Sequence, residues 1–227
     1  VNGLRFYSAA ARAGVTLPDM SQAVEHTLPD LLHDGLELVF VGINPSVYSV
    51  TQGHYFARKN NRFWPCFSRS ALSRHIRQAL KVELLEPIHD QLLPACGIGF
   101  TDVVKRPTAK ASELGREEFA AGAAALAARL ERWQPRVACF QGMMGYRPFA
   151  ALFGSTGRNL VLGPQPLRIG RTYVFVVPSP SSANAHFTPV QQTEWYDRLA
   201  AFLRTISHDS AIGLLTPSGS RSFDRTS

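Results

Sequence analysis

The chain has 227 residues, 45% of them apolar, which suits one compact soluble domain rather than an array of domains or a disordered polypeptide. Its 24 Lys and Arg exceed its 17 Asp and Glu by 7, with a pI near 9.7, and this excess is spread along the sequence, as suits a polyanionic partner such as nucleic acid. No stretch approaches the roughly 20 apolar residues of a membrane span, and Cys66, Cys96 and Cys139, odd in number, far apart and without a C-x-x-C pair, argue against a disulfide framework, a zinc site and a four-cysteine iron–sulfur cluster.

The three cysteines are expected to be buried thiols in a reducing compartment, cytoplasmic and beside the nucleoid, or nuclear in a eukaryote. Ser8 to Val15 is too short and too rich in Ala and Gly for a secretory signal core.

In chain order, residues 1–30 show weak periodicity and are expected to form an N-terminal extension. Four short apolar runs follow: Leu36 to Val41, Ile98 to Val104, Val137 to Phe140 and Tyr173 to Val177. Their Val and Phe content and flanking Gly or Pro predict buried strands. Between the second and third, Phe119, Ala123, Leu126, Leu130 and Trp133 recur at helical spacing. After the fourth, Thr188-Pro189-Val190-Gln191 has capping-box spacing, and Trp195, Leu199, Phe202 and Ile206 fall on one face of the helix it opens. Residues 207–227 are rich in Ser, Thr, Arg and Gly and are expected to be a mobile tail.

Strands alternating with helices predict an α/β fold, a three-layer α/β/α sandwich around a short, mainly parallel sheet of four to five strands, over residues 31–206. Ligands of such sheets bind at the carboxyl ends of the strands, so the chemistry should follow the strands.

The first strand ends in Gly42-Ile43-Asn44-Pro45-Ser46, which by turn chemistry alone reads first as structural. Gly53 to Ala57 and Asn60 to Trp64 then place aromatics beside basic and amide groups, a mixture suited to stacking a base while contacting phosphate. Phe63 and Trp64 are read as core. Gly42 to Pro45, Gly53 to Phe56 and Asn61 to Trp64, at these distances, resemble the first motif of the mismatch-specific uracil/thymine-DNA glycosylases. Val177 to Ala183 resembles the loop those enzymes push into the duplex, and Gly99 to Thr108 is similar to their G-x-T-x-x-V-x-R-x-T segment. The resemblance spans about Leu28 to Ile206.

It implies a base-excision repair enzyme that flips uracil from a G·U mismatch and hydrolyses its N-glycosidic bond. Such an enzyme works on double-stranded DNA as a monomer, with no metal and no organic cofactor. Asn44 becomes catalytic by the resemblance, yet an amide can only orient and polarise a water. Asp102 stands where the family more often has a non-acidic residue. It either activates the water or steadies positive charge on the sugar, or else it pairs with Lys105 or Arg106. Phe56 is the stacking wall, and backbone around Ile43 and Ser46, where the family usually has Gly, would read the base edge. Ser49 would lie near a thymine methyl. Arg62, Ser179, Ser181 and Ser182 are DNA contacts, and Ala183 stands at the place of the wedge, with Asn184 and His186 as other candidates. Asp34, Asp90 and Asp197 are read as surface charges. Alternatives are a glycosylase acting on several damaged bases, a DNA-binding relative without catalysis, and a nucleotide-binding α/β protein, which lacks both G-x-x-x-x-G-K-[ST] and G-x-G-x-x-G.

Overall fold

A computed structural model describes residues 27–157 and 160–213, with side chains as far as Ile206 at the carboxyl end. The elements are β1 Leu38–Gly42, α1 Val47–Gln52, α2 Phe63–Arg69, α3 Arg74–Leu80, β2 Ile98–Asp102, α4 Arg116–Trp133, β3 Val137–Gln141, α5 Met143–Ala151, β4 Gly163–Ile169, β5 Thr172–Val177 and α6 Pro189–Gly213. The five strands form one sheet in the order β2-β1-β3-β5-β4, parallel except for β4.

The four apolar runs are the four parallel strands, and each is buried on both faces because helices cover both. Side chains alternate across a strand, so Leu38 and Phe40 enter one core while Val39 and Val41 enter the other. The first core is aromatic: Phe40 meets Phe63 edge-on at 4.9 Å, and Phe63, Phe67 and Tyr196 bring in α2 and α6. The second is mostly aliphatic, closed by Ala123, Leu126 and Leu130 of α4 and by Phe149 of α5. The result is a three-layer α/β/α sandwich. No helix among the described residues is long and apolar enough to cross a membrane.

The fifth strand was not visible as an apolar run. β4 reads Gly-Pro-Gln-Pro-Leu-Arg-Ile with mostly exposed or half-buried interior positions, and its register with β5 shifts between Pro164 and Arg168. Two prolines remove ladder donors, which an edge strand tolerates and a central one does not. The second strand ends at Asp102 rather than Val104. Val103 and Val104 still donate N–H bonds to Gly42 and Ile43 carbonyls.

Packing begins ahead of the expected boundary at 31, since Leu28 is buried in the aromatic core and Asp30 is ion-paired. At the other end α6 continues to Gly213, past the expected limit at 206. The remainder of both expected flanks lies outside the described residues. The capping box forms as spaced: Thr188 N–H donates to Gln191 Oε1 at 2.9 Å, and Gln191 N–H to Thr188 Oγ1 at 3.2 Å. Of the cysteines, Cys66 and Cys139 are buried, but Cys96, at the end of a short 3₁₀ turn, is only half-buried.

Candidate active site

The chain leaves β1 toward the aromatic core and the adjacent β3 toward the aliphatic one, which opens a crevice between their carboxyl ends. A cavity of about 680 Å³ occupies it.

Asn44 lies two residues beyond β1 and lines this cavity. Its Nδ2 donates to the Arg106 carbonyl at 2.9 Å and to Thr108 Oγ1 at 2.8 Å, while Thr108 spends its own proton on the Lys110 carbonyl at 2.9 Å. Carbonyls accept only, so the amide has one orientation, with Oδ1 left over. That oxygen can accept a hydrogen bond from water and hold its lone pair in a fixed direction. It cannot take a proton away.

Ser46 caps α1 by accepting the Ser49 N–H at 3.1 Å, and it donates to Ser49 Oγ at 3.0 Å. Ser49 Oγ also accepts the Ala57 N–H at 3.2 Å, which ties the start of the turn to its end. Ile43, Ser46 and Ser49 all line the cavity, and the Ile43 carbonyl accepts the Val104 N–H.

Phe56 is held in the left-handed region, at φ 54°, unusual for a bulky side chain and costing on the order of 1–3 kcal/mol. Its neighbours over-determine it: the Tyr55 N–H bonds to Asp90 Oδ2 at 2.7 Å on one side, and Ala57 is tied to Ser49 on the other. The ring stacks on Phe63 at 4.3 Å and 23°, leaving its other face to the cavity it lines. Phe63 and Trp64 are core, as read from sequence.

Asp90 corrects the reading of it as a surface charge. It is fully buried, bonded to His54 Nδ1 at 2.9 Å as well as to the Tyr55 N–H, and so anchors the turn that presents Phe56. Asp197 too has a structural task, accepting the Ala71 N–H. Nothing local in the sequence marks Asp90, whose partners lie about 35 residues upstream.

Asp102, the last residue of β2, is 2% exposed and lines the cavity. Its Oδ2 has no hydrogen bond but forms a long ion pair with Lys105 Nζ, 3.7 Å away and too far to donate one, so the expected pairing with Lys105 is present in a weak form. Lys105 instead reaches Asp30 Oδ1 at 2.8 Å and Tyr55 OH at 3.2 Å, and Arg129 holds Asp30 Oδ2 and the Asp102 carbonyl, each at 2.8 Å. Arg106 is paired with Glu118. Burial pushes the Asp102 carboxyl up to about 6, against the opposing pull of Lys105. Asp30, by contrast, is held below the usual range: burial alone would raise it, but Lys105 and Arg129 together outweigh that. A buried carboxyl raised to about 6 and only weakly paired is one that can exchange a proton close to neutral pH. Asp30, Tyr55 and Arg129 were missed by sequence reasoning, since each is recognisable only by what surrounds it.

The opposite wall is the loop after β5. Ser179, Ser181, Ser182 and Ala183 all line the cavity, the last three exposed. The loop's hydroxyls partly close on its own backbone: Ser179 Oγ accepts the Ser181 N–H and Ser181 Oγ the Ala183 N–H. Arg62 does not line the cavity. It reaches across to this loop, donating to the carbonyls of Phe187 at 2.6 Å, Asn184 at 3.1 Å and Ser182 at 3.5 Å, while its N–H bonds to the Pro180 carbonyl. Underneath, Gly142 adopts φ 105°, and a side chain there would meet Ser179 Cβ at 2.9 Å. Glycine is required for β3 to turn this close to the loop. Gln141 completes the floor, its Oε1 accepting from buried Tyr196 OH.

Ten of the eleven residues expected from sequence at the site therefore line one cavity, with Arg62 behind its rim. The family model described as the uracil DNA glycosylase superfamily matches residues 29–203.

Proposed function

The chain belongs to the uracil DNA glycosylase superfamily, hydrolases of DNA repair that act on uracil, and from that premise we propose that its substrate is uracil opposite guanine in duplex DNA. The base leaves the stack, at a cost of about a few kcal/mol that is least for a mismatch, and enters the cavity. There it stacks on the free face of Phe56. Backbone near Ile43 and Ser46 contacts its edge, with the Ser49 hydroxyl beside the position a thymine methyl would take. Ser179, Ser181 and Ser182 contact the flanking phosphates, and Ala183 faces the gap in the stack. The protein acts as a monomer and needs no metal or organic cofactor.

The observation that carries the reading is the pair at the ends of β1 and β2: an amide oxygen free to orient water and a buried carboxylate whose Oδ2 accepts no hydrogen bond, on two residues that both line the cavity. Water held by Asn44 attacks the anomeric carbon as the bond to the base breaks, with its electron pair leaving on the uracil ring. Asp102 takes the water's proton, and its charge offsets the positive charge developing on the sugar. General-base help of this kind is worth about 10² to 10⁴ in rate. Lys105 is engaged by Asp30 and Tyr55, which supports hydrolysis without a covalent amine intermediate.

The test is single-turnover cleavage of an end-labelled duplex carrying one G·U pair, with and without alkali. Strand breaks are expected only after alkali, and both Asn44→Ala and Asp102→Asn should slow the reaction by about 10² or more. Breaks without alkali would mean lyase chemistry. Equal rates on several damaged bases would favour the broad-specificity reading.

A further inference from the structure

Gly42 and Asp102 are register partners at the ends of adjacent parallel strands, so their side-chain directions coincide. Both continue the aromatic face, two residues beyond Phe40 and Phe100. A Cβ built on Gly42 would overlap Asp102 Oδ1, lie 3.4 Å from its Cγ and stand 3.6 Å from Phe56 Cζ. The carboxylate thus lies over the bare α-carbon of Gly42, beside the ring proposed to stack the base. Gly42 has no left-handed φ, so turn geometry does not demand a glycine there.

We propose that Gly42 is a positioning residue: its missing side chain is the recess that lets the Asp102 carboxylate fold across the end of β1 and face the cavity. This rests on the proposed part of Asp102 in catalysis. Of the two groups near the missing methyl, Phe56 is at an ordinary contact distance and stays. The carboxylate oxygen is the end of a side chain with rotational freedom, so it is what yields. It has one direction in which yielding is favourable, toward Lys105 Nζ, 3.7 Å from Oδ2. The other groups facing it are Asp30, Arg129 and the Tyr55 hydroxyl, of which only Arg129 adds positive charge. A carboxylate swung toward Lys105 is a weaker base and no longer beside the water. Asn44 is untouched, because its amide is fixed by Arg106 and Thr108 on the far side of the turn.

Gly42→Ala therefore displaces one carboxylate while deleting no interaction, and it separates placement from presence. At pH 7.5 it should slow single-turnover cleavage of a G·U duplex by about 10- to 100-fold, since misplacement by about 1 Å can cost that much. DNA affinity should be unchanged and the acid limb of the pH–rate profile should move to lower pH. Placed on Asp102→Asn, the same alanine should change the rate less than twofold. The carboxyl-carbon NMR titration of Asp102, which needs no turnover, should shift toward the ordinary aspartate range in Gly42→Ala. Parental rate and titration in Gly42→Ala, with Asp102→Asn slow, would overturn the positioning role and leave the proposed chemistry standing. An equal slowing in the parental protein and in the Asp102→Asn variant would overturn it as well, because the glycine would then act through the backbone. If Asp102→Asn cleaved at the parental rate, both ideas would fall together.

Discussion

The cavity has two walls built on opposite plans. The inner wall, at the ends of β1 and β2, is buried and cross-braced: Asp90 holds the turn before Phe56, Ser49 the turn after it, and Thr108 with the Arg106 carbonyl fixes Asn44. The outer wall, the loop after β5, is largely exposed and rests on its own Ser and Asn turns, on Gln192 of α6 at the Pro178 carbonyl, and on the long arm of Arg62. Under the proposed function the difference is a division of labour. Groups that do chemistry must be held to within fractions of an ångström, whereas groups that meet a deformable duplex gain from being able to follow it. Asp102 is the exception on the inner wall, set by its strand but with an Oδ2 that accepts no hydrogen bond.

The largest effect that sharpens this contrast is pH. If Asp102 is the base, single-turnover cleavage should fall about tenfold per pH unit below its value near 6, reaching roughly a hundredfold loss by pH 4. Asp102→Asn should be slow and flat over that range, and changes in the outer loop should leave the limb where it is. Stability must move in the opposite sense. The native carboxyl titrates above the ordinary aspartate value of about 3.9, so its ionisation costs the folded state, a cost absent below about pH 4 and complete above about pH 6. Asp102→Asn should accordingly raise the melting temperature at pH 7.5, by an amount corresponding to about 1–3 kcal/mol. A lowered melting temperature would mean that the charge is compensated in a way the geometry does not reveal.

Asp90→Ala attacks the bracing of the inner wall. It leaves the buried Tyr55 N–H and the His54 ring without their acceptor, and should cost about 2–4 kcal/mol in urea unfolding. Release of Phe56 should slow cleavage while leaving duplex affinity nearly intact. A stable, fully active Asp90→Ala would show that the strained backbone at Phe56 is held by something other than this carboxylate.

Arg62→Ala addresses the outer wall. Loss of the arm should weaken duplex binding about tenfold with little change in the rate of bound substrate. The guanidinium is committed to carbonyls, so the slope of log affinity against log salt should stay nearly constant while binding overall falls with salt. A slope reduced by about 1 would instead identify Arg62 as a direct phosphate contact.

The smallest expected effect concerns selectivity. Ser49→Ala opens space at the base but deprives the Ala57 N–H of its acceptor. Uracil should lose rate while thymine opposite guanine gains on it, by no more than about tenfold, since one methyl contact is worth about 1–3 kcal/mol. An unchanged ratio on G·U and G·T duplexes would remove Ser49 from base selection and leave it as a brace.

The sequence by itself determined the four buried strands and the helix opened at Thr188, and through the resemblance of its motifs ten of the residues that line the cavity, because each was written in local terms: apolar runs, capping spacing, and motifs at strand ends. Asn44, Phe56 and the Ser179 to Ala183 loop needed no contact map to be singled out. Tertiary structure alone decided β4, whose prolines and alternating exposure give no continuous run, and the burial of Asp90, which in sequence is indistinguishable from Asp34. Only the fold shows that Lys105 prefers Asp30 to Asp102, or that Arg62 reaches a loop more than 100 residues away. The reason is physical. Hydrophobic periodicity reports how one segment meets water, whereas the state of a charge depends on which groups other segments bring beside it, and that is set by strand order and loop closure across the whole chain.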